Sequence, residues 1–432
     1  MNWRSSVVVI CVSALWLGDI STAQVPSREE QRPRIAFADY VGEVLRSNLD
    51  LAAQHSNVAI SLAAVTTASV RPDWSLEVGV PGADLSNQGF PTTTSVGLTL
   101  PVELGGKRGA RIRAATADAS STAADYEDAV RQLRATAANA FVNALGARQI
   151  LQSKTKSLAQ LDRIVNVNEE RLRVGDIGEI ELAQSRVERD QFKADVVSAD
   201  SDVYSADLTV AQQLGNPDKL GPQMPVPGGS LEIPTRTFDL DQLISHALQN
   251  RSDVISRVRA MSAADARIRL ATANLIPDVA VNGSFSHTGS GTGDFLQQSD
   301  NTISGGVSLN LPISRRLHPG ELEGAQATRA QAELQLRAAQ LNVEVEVRDA
   351  YERYQSSAQR LNVFRSGLLR DADRVLEARL YAYQRGSATL LEVIDAQRKS
   401  ADVYLAYSQA LMDHAHALVT LEAAAASWDV SF

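Results

Sequence analysis

The sequence predicts a mainly α-helical protein with a small β part, built from two copies of one structural unit. Three observations lead to this fold class. Long stretches carry apolar residues at alternating spacings of four and three, which is typical of coiled-coil helices. Short segments alternate apolar with polar residues, as half-buried strands do. The order of these segments in the first half of the chain recurs in the second half.

Five pairs of landmark residues, which occur in the same order in both halves, indicate the duplication. Four of the pairs share one constant offset, and the fifth has a slightly shorter one, which makes the second β segment the longer. The pairs are Pro101 with Pro312, Gly109 with Gly320, Gly175 with Gly386, Glu181 with Glu392, and Pro72 with Pro277. Five matches in order favour duplication over coincidence.

The repeats divide the chain into five parts. They are an export signal at 1–23, a first structural repeat at 24–214, a proline-rich linker at 215–237, a second repeat at 238–426 and a tail at 427–432. Within the repeats, strands lie at about 72–101 and 277–312, and tip turns at about 174–179 and 383–388. Because its prolines lack backbone donors, we expect the linker to run extended along the outside of the body.

The N-terminal segment has the three parts of an export signal. Arg4 supplies a positive charge, residues 7–17 form an apolar run, and Ser21-Thr22-Ala23 offers a small-residue cleavage site. An uncleaved anchor is the alternative, but the run is shorter than the roughly 20 residues that span a bilayer. The one cysteine, Cys11, lies in this segment. A cleaved chain would have no thiol for a disulfide, a nucleophile or a metal site.

Two long helical stretches carry the heptad pattern. The first, without proline from Lys107 to Val174, would form a rod of roughly 100 Å at 1.5 Å per residue. Only Lys154 and Asn168 are not apolar along its seam, which reads Tyr126, Val130, Leu133, Ala137, Ala140, Ala144, Ala147, Leu151, Lys154, Leu158, Leu161, Val165, Asn168 and Leu172. The second seam reads Val347, Tyr351, Tyr354, Ala358, Leu361, Leu368, Ala372 and Val375. A further amphipathic helix is predicted over about Phe37 to Val70.

Each repeat carries two alternating segments that predict a pair of strands. The first pair comprises Trp74–Val80 and Ser95–Leu100, with Val96, Leu98 and Leu100 on one face. In the second pair, one face holds Val279, Val281 and Phe285 on one strand, and Ile303, Val307, Leu309 and Leu311 on the other. Their lengths are near the roughly 10 residues that a tilted transmembrane strand needs.

Four strands cannot close a barrel alone, and an open edge in lipid leaves backbone groups unpaired. Since the smallest bacterial outer-membrane barrels have about eight strands, several chains would have to contribute, and three chains would supply twelve. An ordinary soluble sheet covering a helical layer is the alternative interpretation.

With this order of elements, the mature chain resembles the TolC family of outer-membrane efflux ducts over nearly its whole length. Two tip segments carry the resemblance, RLRVGDIGEIELAQSR at 171–186 and YQRGSATLLEVIDAQR at 383–398. It implies a homotrimer in outer-membrane lipid, with a twelve-stranded β-barrel on a twelve-helix α-barrel that projects into the periplasm. The implied partners are a periplasmic adaptor and an inner-membrane pump of the RND type. The stretch PVELGGKRGARI at 101–112 resembles the cobalt–zinc–cadmium branch, whereas the equivalent turn at 312–320 departs from it.

The resemblance also implies roles for residues at the tip. Glu392 and Asp395 match acidic rings at the channel constriction, although exposed carboxylates three apart are also common on solvated helix faces. Glu181 and Tyr383 match a latch between tip helices. An arginine of that latch is replaced by Ala388, with Arg385 as a candidate substitute. The turns with Gly175, Gly178 and Gly386 match the adaptor-docking surface, and a simple helix cap is the other interpretation.

Other functions have little support in the sequence. The net charge of −9 argues against a nucleic-acid binder, and no constellation typical of an enzyme, a cofactor site or a metal site is found. His414 and His416 are two apart, which puts them on different faces of a helix, so we expect surface residues. A structural coiled-coil protein of the envelope remains the alternative class. Within the duct interpretation the cargo is divalent metal cations, with small organic toxins or a secreted protein as alternatives.

Overall fold

The computed structural model describes residues 32–80, 92–289, 299–310 and 317–432. Three expectations fall outside these ranges: the export signal at 1–23, the landmark Pro312, and the outward position of Leu311. Most of the turn at 312–320 also lies outside them.

The two halves of the described chain have the same order of elements. The first half runs through β1 (Arg34–Ala36), α1 (Phe37–Ser47), α2 (Leu49–Ser69), β2 (Ser75–Gly79), β3 (Thr93–Val102), α3 (Lys107–Arg173) and α4 (Glu179–Gln213). After a 3₁₀ turn (Pro217–Leu220) the second half runs through β4 (Val226–Gly228), α5 (Leu240–Asn250), α6 (Ser252–Asn274), β5 (Asp278–Thr288), β6 (Asp300–Asn310), α7 (Leu317–Val363), one π-helical turn (Phe364–Leu368), α8 (Leu369–Gln384) and α9 (Leu390–Ala425). The predicted duplication and the mainly helical fold class are confirmed.

The single helix expected over about 37–70 is two helices. Asn48 adopts an extended backbone (φ −64°, ψ 127°), and its side chain accepts a hydrogen bond from the backbone N–H of Leu51. Asparagine is a favoured N-cap because it satisfies such a free donor, so it ends α1 and begins α2. Arg251 makes the equivalent break between α5 and α6.

The predicted rod is confirmed as α3, a helix of 67 residues without a break. None of its fourteen predicted seam positions is exposed. The two polar exceptions both have partners: the Lys154 ammonium donates to the carbonyl of Asp195, and Asn168 accepts from the Tyr383 hydroxyl. Helices α2, α4, α6 and α9 all pack along this rod.

The second predicted seam holds only as far as Leu361. Beyond it the helix is kinked at Gly367, whose φ of +150° and ψ of −16° are not helical, so the apolar seam of α7 does not continue in register into α8. Within the protomer Leu368 and Val375 are therefore exposed, at 39% and 53%, and Leu376 takes the buried position at 5%. The seam assignments of Leu368 and Val375 were wrong for this reason.

The four longer strands form one antiparallel sheet in the order β2-β3-β5-β6. Its register pairs Val78 with Val96, Val96 with Phe285, and Phe285 with Ile303, so the two predicted hairpins join through β3 and β5. The outer strands β2 and β6 pair on one side only within the described ranges.

The linker contributes to the hydrophobic core, contrary to the expected position outside the body. Its strand β4 pairs in parallel with β1, and Leu231 and Ile233 are buried in the main cluster. The tail packs in the same region, where the ring of Phe432 lies 4.8 Å from that of Phe37. The linker and the tail thus pack in one region of the hydrophobic core beside α3.

A buried ion cluster connects the N-terminal segment to helices α3 and α4. Asp207 of α4 is fully buried and forms salt bridges with Arg32 and with Arg148 of α3, the latter at 2.6 Å. The two guanidinium groups compensate the buried carboxylate, which would otherwise be costly to remove from water.

Across the parts of the chain that the structure describes, no helix combines the length and apolar character needed to cross a bilayer.

Candidate functional site: sheet face and helical tip

One face of the four-stranded sheet is apolar and exposed. Because directly paired residues in an antiparallel sheet project from the same face, the register collects the apolar positions of all four strands on one side. Each of ten such residues is at least 39% exposed: Leu76, Val78, Val96, Leu98, Val102, Val281, Phe285, Ile303, Val307 and Leu309. The opposite face carries mainly small and polar residues, among them Ser75, Glu77, Thr99, Asn282, Ser284 and Ser304.

Contact of this apolar face with water is unfavourable in free energy. Burial of apolar surface is worth about 25 cal/mol per Å², so each of these side chains favours an apolar neighbour. Large exposed apolar patches mark surfaces that contact lipid or protein. The one-sided pairing of β2 and β6 adds unsatisfied backbone groups at both edges of the sheet.

At the other end of the molecule, two glycine turns reverse the long helices. Gly175 has φ +83° and Gly386 has φ +74°, in the left-handed region that favours glycine. In both turns the next residue donates to the carbonyl five positions back, Asp176 to Arg171 and Ser387 to Ala382. These are Schellman caps. Gly178 differs, since its backbone is extended (φ −88°, ψ 162°) and any residue adopts that conformation.

Tyr383 joins the second tip turn to α3. Its hydroxyl donates to Asn168 Oδ1 at 2.6 Å, and its ring lies 4.5 Å from the guanidinium carbon of Arg171. Arg171 also donates to the backbone carbonyl of Tyr383 at 3.2 Å. Burial raises the pKa of the Tyr383 phenol, which keeps it protonated as a donor. We call this group, Asn168, Arg171 and Tyr383, the tip clasp.

The sequence predicted Tyr383 but missed both of its partners on α3. Asn168 could have been found, because it is a polar residue in an otherwise apolar seam and the structure buries it completely. Glu181, the predicted latch partner, is exposed on α4, and its negative charge raises the pKa of Tyr383. Arg385 lies 4.7 Å over the ring of Tyr381, so Arg171 is the arginine that contacts Tyr383.

Glu392 has a structural role at the start of α9. Its carboxylate accepts from the backbone N–H of Thr389 at 2.9 Å, while the Thr389 hydroxyl accepts from the backbone N–H of Glu392, which is a capping box. The hydrogen bond from the backbone of Thr389, together with nearby Arg379, lowers the pKa of Glu392. Asp395 lies one turn further on, 59% exposed, and pairs with Lys399 at 2.8 Å.

His414 is not a surface residue, so the expectation was wrong for it, whereas His416 is half-buried. His414 is fully buried, stacked on Tyr354 with ring centroids 5.0 Å apart, and its Nδ1 lies 3.0 Å from the Ser357 hydroxyl. His416 lies between the side-chain oxygens of Asn139 and Asn143, at 2.7 and 2.8 Å. Among the described residues, no three histidine, cysteine, aspartate or glutamate side chains come together in a way that could hold a metal ion.

The comparison with protein families decides the wider assignment. The model of the outer membrane efflux protein family matches residues 40–216 and 243–427, which are the two repeats. The chain belongs to this family.

Individual relatives are similar at low identity. The outer membrane efflux protein BepC of Brucella suis is 28% identical over 282 residues, which span 63% of this chain and 59% of BepC. The cobalt-zinc-cadmium resistance protein CzcC of Cupriavidus metallidurans is 24% identical over 409 residues, 94% of this chain and 93% of CzcC. The crystal structure of CusC superposes with a TM-score of 0.76 at 18% identity, covering 91% of this chain and 92% of that one. This chain and CusC therefore share one fold over 91% of this chain.

The tip clasp predicts the effect of removing one hydroxyl. In Tyr383→Phe, Asn168 keeps its buried position but loses its donor, so we expect a cost of about 1–3 kcal/mol at the tip. Hydrogen exchange of residues 380–394 should accelerate. Tyr381→Phe, on the exposed neighbour, should leave exchange unchanged. Adding Asn168→Leu to Tyr383→Phe should restore much of the protection; equal exchange in all variants would contradict the clasp.

The capping box predicts a pH-dependent helix start. Because the pKa of Glu392 is lowered below its ordinary 4.5, its stabilising effect is complete above that value and is lost as pH falls through the folded-state pKa. Glu392→Ala should therefore accelerate amide exchange at residues 390–393 at neutral pH, and the difference from wild type should be lost as the pH falls below 4.5 and the carboxylate is protonated. Asp395→Ala, in the same helix but outside the cap, serves as control. A difference that persists in acid would contradict the assignment.

Proposed function

We propose that the protein is one subunit of a trimeric outer-membrane efflux channel, which passively conducts substrate delivered by a pump. The apolar sheet face carries this proposal. A face with Ile303 at 85% exposure and Val307 at 72%, opposite a face of serine, threonine and asparagine, fits a sheet between lipid and a watery interior.

The number of subunits follows from the edges and the interior. In lipid both outer strands must pair, and a second copy of the chain offers the matching edge. Two copies would give eight strands, whose interior is filled by side chains. Three copies give twelve strands and room for a conduit, in line with the trimer implied by the tip segments.

The helices also present surfaces suited to neighbouring copies. Helix α2 has 21 residues, among which Asp50 is the only aspartate, glutamate, lysine or arginine, and its Leu49, Ile60 and Leu62 are 57–69% exposed. On α7, Leu334 and Leu341 are exposed by 64% and 63%. Long helices that leave apolar residues on their outer faces favour lateral assembly into a helical barrel.

Partners and cargo are finer proposals. The glycine turns at Gly175, Gly178 and Gly386 are open, with no neighbour close to a Cβ at any of the three, which suits docking of a periplasmic adaptor that couples the channel to an RND-type pump. The similarity to CzcC over nearly the whole chain, and the stretch at 101–112, favour divalent metal cations as cargo. Drugs, small organic toxins or a secreted protein are the alternatives, since BepC is described as an outer membrane efflux protein without reference to a metal.

At the tip, we propose that Glu392 and Asp395 form acidic rings in the trimer and that Tyr383, with Glu181 nearby, holds the tip closed. Three-fold symmetry would place each carboxylate three times around the axis, which attracts cations to the constriction.

Deletion of the gene tests the cargo. We expect increased sensitivity to cobalt, zinc and cadmium salts and unchanged sensitivity to hydrophobic drugs. Sensitivity to drugs alone would retain the channel and discard metals as cargo. A purified protein that forms no conducting pore in planar bilayers would instead favour a structural coiled-coil protein of the envelope.

The orientation of the sheet predicts opposite effects from one substitution on its two faces. Arginine on the lipid face of a membrane strand costs about 2–4 kcal/mol near the midplane, so Val307→Arg should strongly reduce the trimer recovered from outer-membrane fractions. Ser304→Arg, on the opposite face of the same strand, should assemble normally and change conductance. Equal assembly of the two variants would contradict lipid contact at Val307.

The acidic ring at Asp395 predicts cation block. Asp395→Asn removes the charge without touching the cap of α9, so block of the pore by multivalent cations should weaken by about tenfold. Asp402→Asn, further along the same helix, is the control. Unchanged block in Asp395→Asn would remove Asp395 from the conduction path.

A further inference from the structure

The protein is acidic overall, but its charge is reversed where the sheet meets the helices. The chain has a net charge of −9, whereas the three segments at the base of the sheet, 71–74, 103–113 and 267–278, together hold seven basic and three acidic residues. The seven are Arg71, Lys107, Arg108, Arg111, Arg113, Arg267 and Arg269. We call them the basic belt.

Hydrogen bonds and an ion pair fix the belt directly beside the sheet. The Asp278 carboxylate, at the start of β5, accepts from the backbone N–H of Leu104 at 3.2 Å and pairs with Lys107 at 2.8 Å. Arg111 donates to two backbone carbonyls at the end of α2, at 3.0 and 2.9 Å. The start of α3 is therefore held against both the sheet and α2, so the belt occupies one level of the molecule.

More than half of the belt has no carboxylate partner. Three members pair at 2.6–2.8 Å: Lys107 with Asp278, Arg111 with Glu103, and Arg267 with Asp118. Over the ranges that the structure describes, the other four form no ion pair and are exposed: Arg71, Arg108, Arg113 and Arg269. A guanidinium group is always charged, and its planar set of donors matches the oxygens of a phosphate. The belt thus offers four such groups to an anion.

The apolar face of the sheet extends to the level of the belt. Trp74 is two residues before Leu76, and Leu104 is two residues after Val102, so both continue the alternation of that face. Trp74 is 67% exposed and Leu104 is 40% exposed. Exposed tryptophan at the end of a lipid-facing strand is typical of the boundary between lipid and water.

The height of the belt matches one layer of lipid headgroups. From Lys107 to Arg113 the helix α3 rises by about 9 Å at 1.5 Å per residue. The headgroup region of a bilayer is roughly 5–8 Å thick on each side of the hydrocarbon. A sheet that ends at the edge of the hydrocarbon therefore brings the belt into the headgroup layer.

We propose that the basic belt binds the phosphate groups of anionic phospholipids in the leaflet that faces the helices. Arginine binds phosphate oxygens through paired, charge-assisted hydrogen bonds, and the excess positive charge of the belt attracts lipids with a net negative charge. This inference rests on the proposed channel function, because only a sheet embedded in lipid brings headgroups to its base.

Trp74 is a reporter placed within the belt. Trp3 and Trp16 lie in the predicted export signal, so Trp428→Phe leaves Trp74 as the only tryptophan of the mature chain. The purified protein is reconstituted in phosphatidylcholine vesicles that contain a small, equal fraction of a lipid brominated near its headgroup, either phosphatidylcholine or phosphatidylglycerol. Brominated phosphatidylglycerol should quench Trp74 at least about twofold more, since one basic side chain near an anionic surface shifts the local lipid ratio about fivefold.

Two outcomes of this comparison separate the belt from the channel. Equal quenching by the two brominated lipids would place Trp74 in the bilayer but overturn the belt as a site for anionic lipid. Absence of quenching by either lipid would place Trp74 outside the bilayer, and would overturn both the channel function and the belt.

A matched pair of variants tests which arginines are responsible. The belt variant combines substitutions at three side chains that make no hydrogen bond within the described ranges: Arg71→Gln, Arg113→Gln and Arg269→Gln. The control variant removes the same charge from three exposed arginines that also lack such bonds: Arg163→Gln, Arg257→Gln and Arg259→Gln. Of these, Arg259 is nearest to the sheet, about 22 Å along α6 from its end. The belt variant should lose the preference for phosphatidylglycerol and the control should retain it; the same result in both variants would overturn the belt.

A second measurement leaves the belt unchanged, in case the belt variant fails to assemble. The preference for phosphatidylglycerol should fall when the salt concentration rises from about 0.1 M to about 1 M, because the Debye length shortens from about 10 Å to about 3 Å. A preference that does not change with salt would overturn an electrostatic site, whatever the channel conducts.

Discussion

The packing of other helices along α3 is the constraint on which the rest of the structure depends. Small residues make this possible: Ala137, Ala140 and Ala144 lie on its seam and are almost completely buried. At Gly146 the approach of α9 is so close that a Cβ would lie 2.4 Å from the Met412 sulfur. An unbroken helix with such a seam accepts helices from both repeats along its whole length, so one element sets the length of the molecule and joins its halves. The sheet at one end and the tip turns at the other are positioned by this rod.

The sequence predicted the rod and the sheet because both depend on regular periodicity. The apolar residues of α3 recur every three or four positions for 67 residues, and those of the strands recur every two, so each buried or exposed face was already visible. Irregular features were missed where one residue changes the backbone. Asn48 ends a helix by accepting one hydrogen bond, and Gly367 interrupts a heptad seam with a kink. The prolines of the linker predicted an extended segment outside the body, whereas its buried apolar residues, Met224, Val226, Leu231 and Ile233, follow no helical or strand period that would have predicted burial.

At the tip, the sequence predicted single residues but not the contacts between them. Tyr383 was found from its segment, whereas Arg171 was missed because a charged residue near a helix end normally faces solvent. Asn168 gave a real signal, since a buried polar residue in an apolar seam needs a partner. Glu392 shows the reverse case: a carboxylate that the family resemblance assigned to a charge ring also caps the helix that would carry the ring. The two roles are compatible, because a capping carboxylate is ionised at neutral pH and keeps its charge.

The two arms of the duplicated plan differ in how many elements pack on them. Each repeat supplies one long helix and one tip turn, but α3 also carries the packing of the other helices and cannot bend without disturbing them. The arm built from α7 and α8 packs on fewer elements, so it tolerates a kink with a glycine at φ +150°. Strained backbone persists only where surrounding contacts hold it, here the packing of Phe364 on Tyr407 before Gly367 and the hydrogen bond of Asp373 with Tyr404 after it. A duplicated plan thus gives one continuous helix as the frame and one arm that is interrupted at Gly367 and packs on α9 and on the tip clasp.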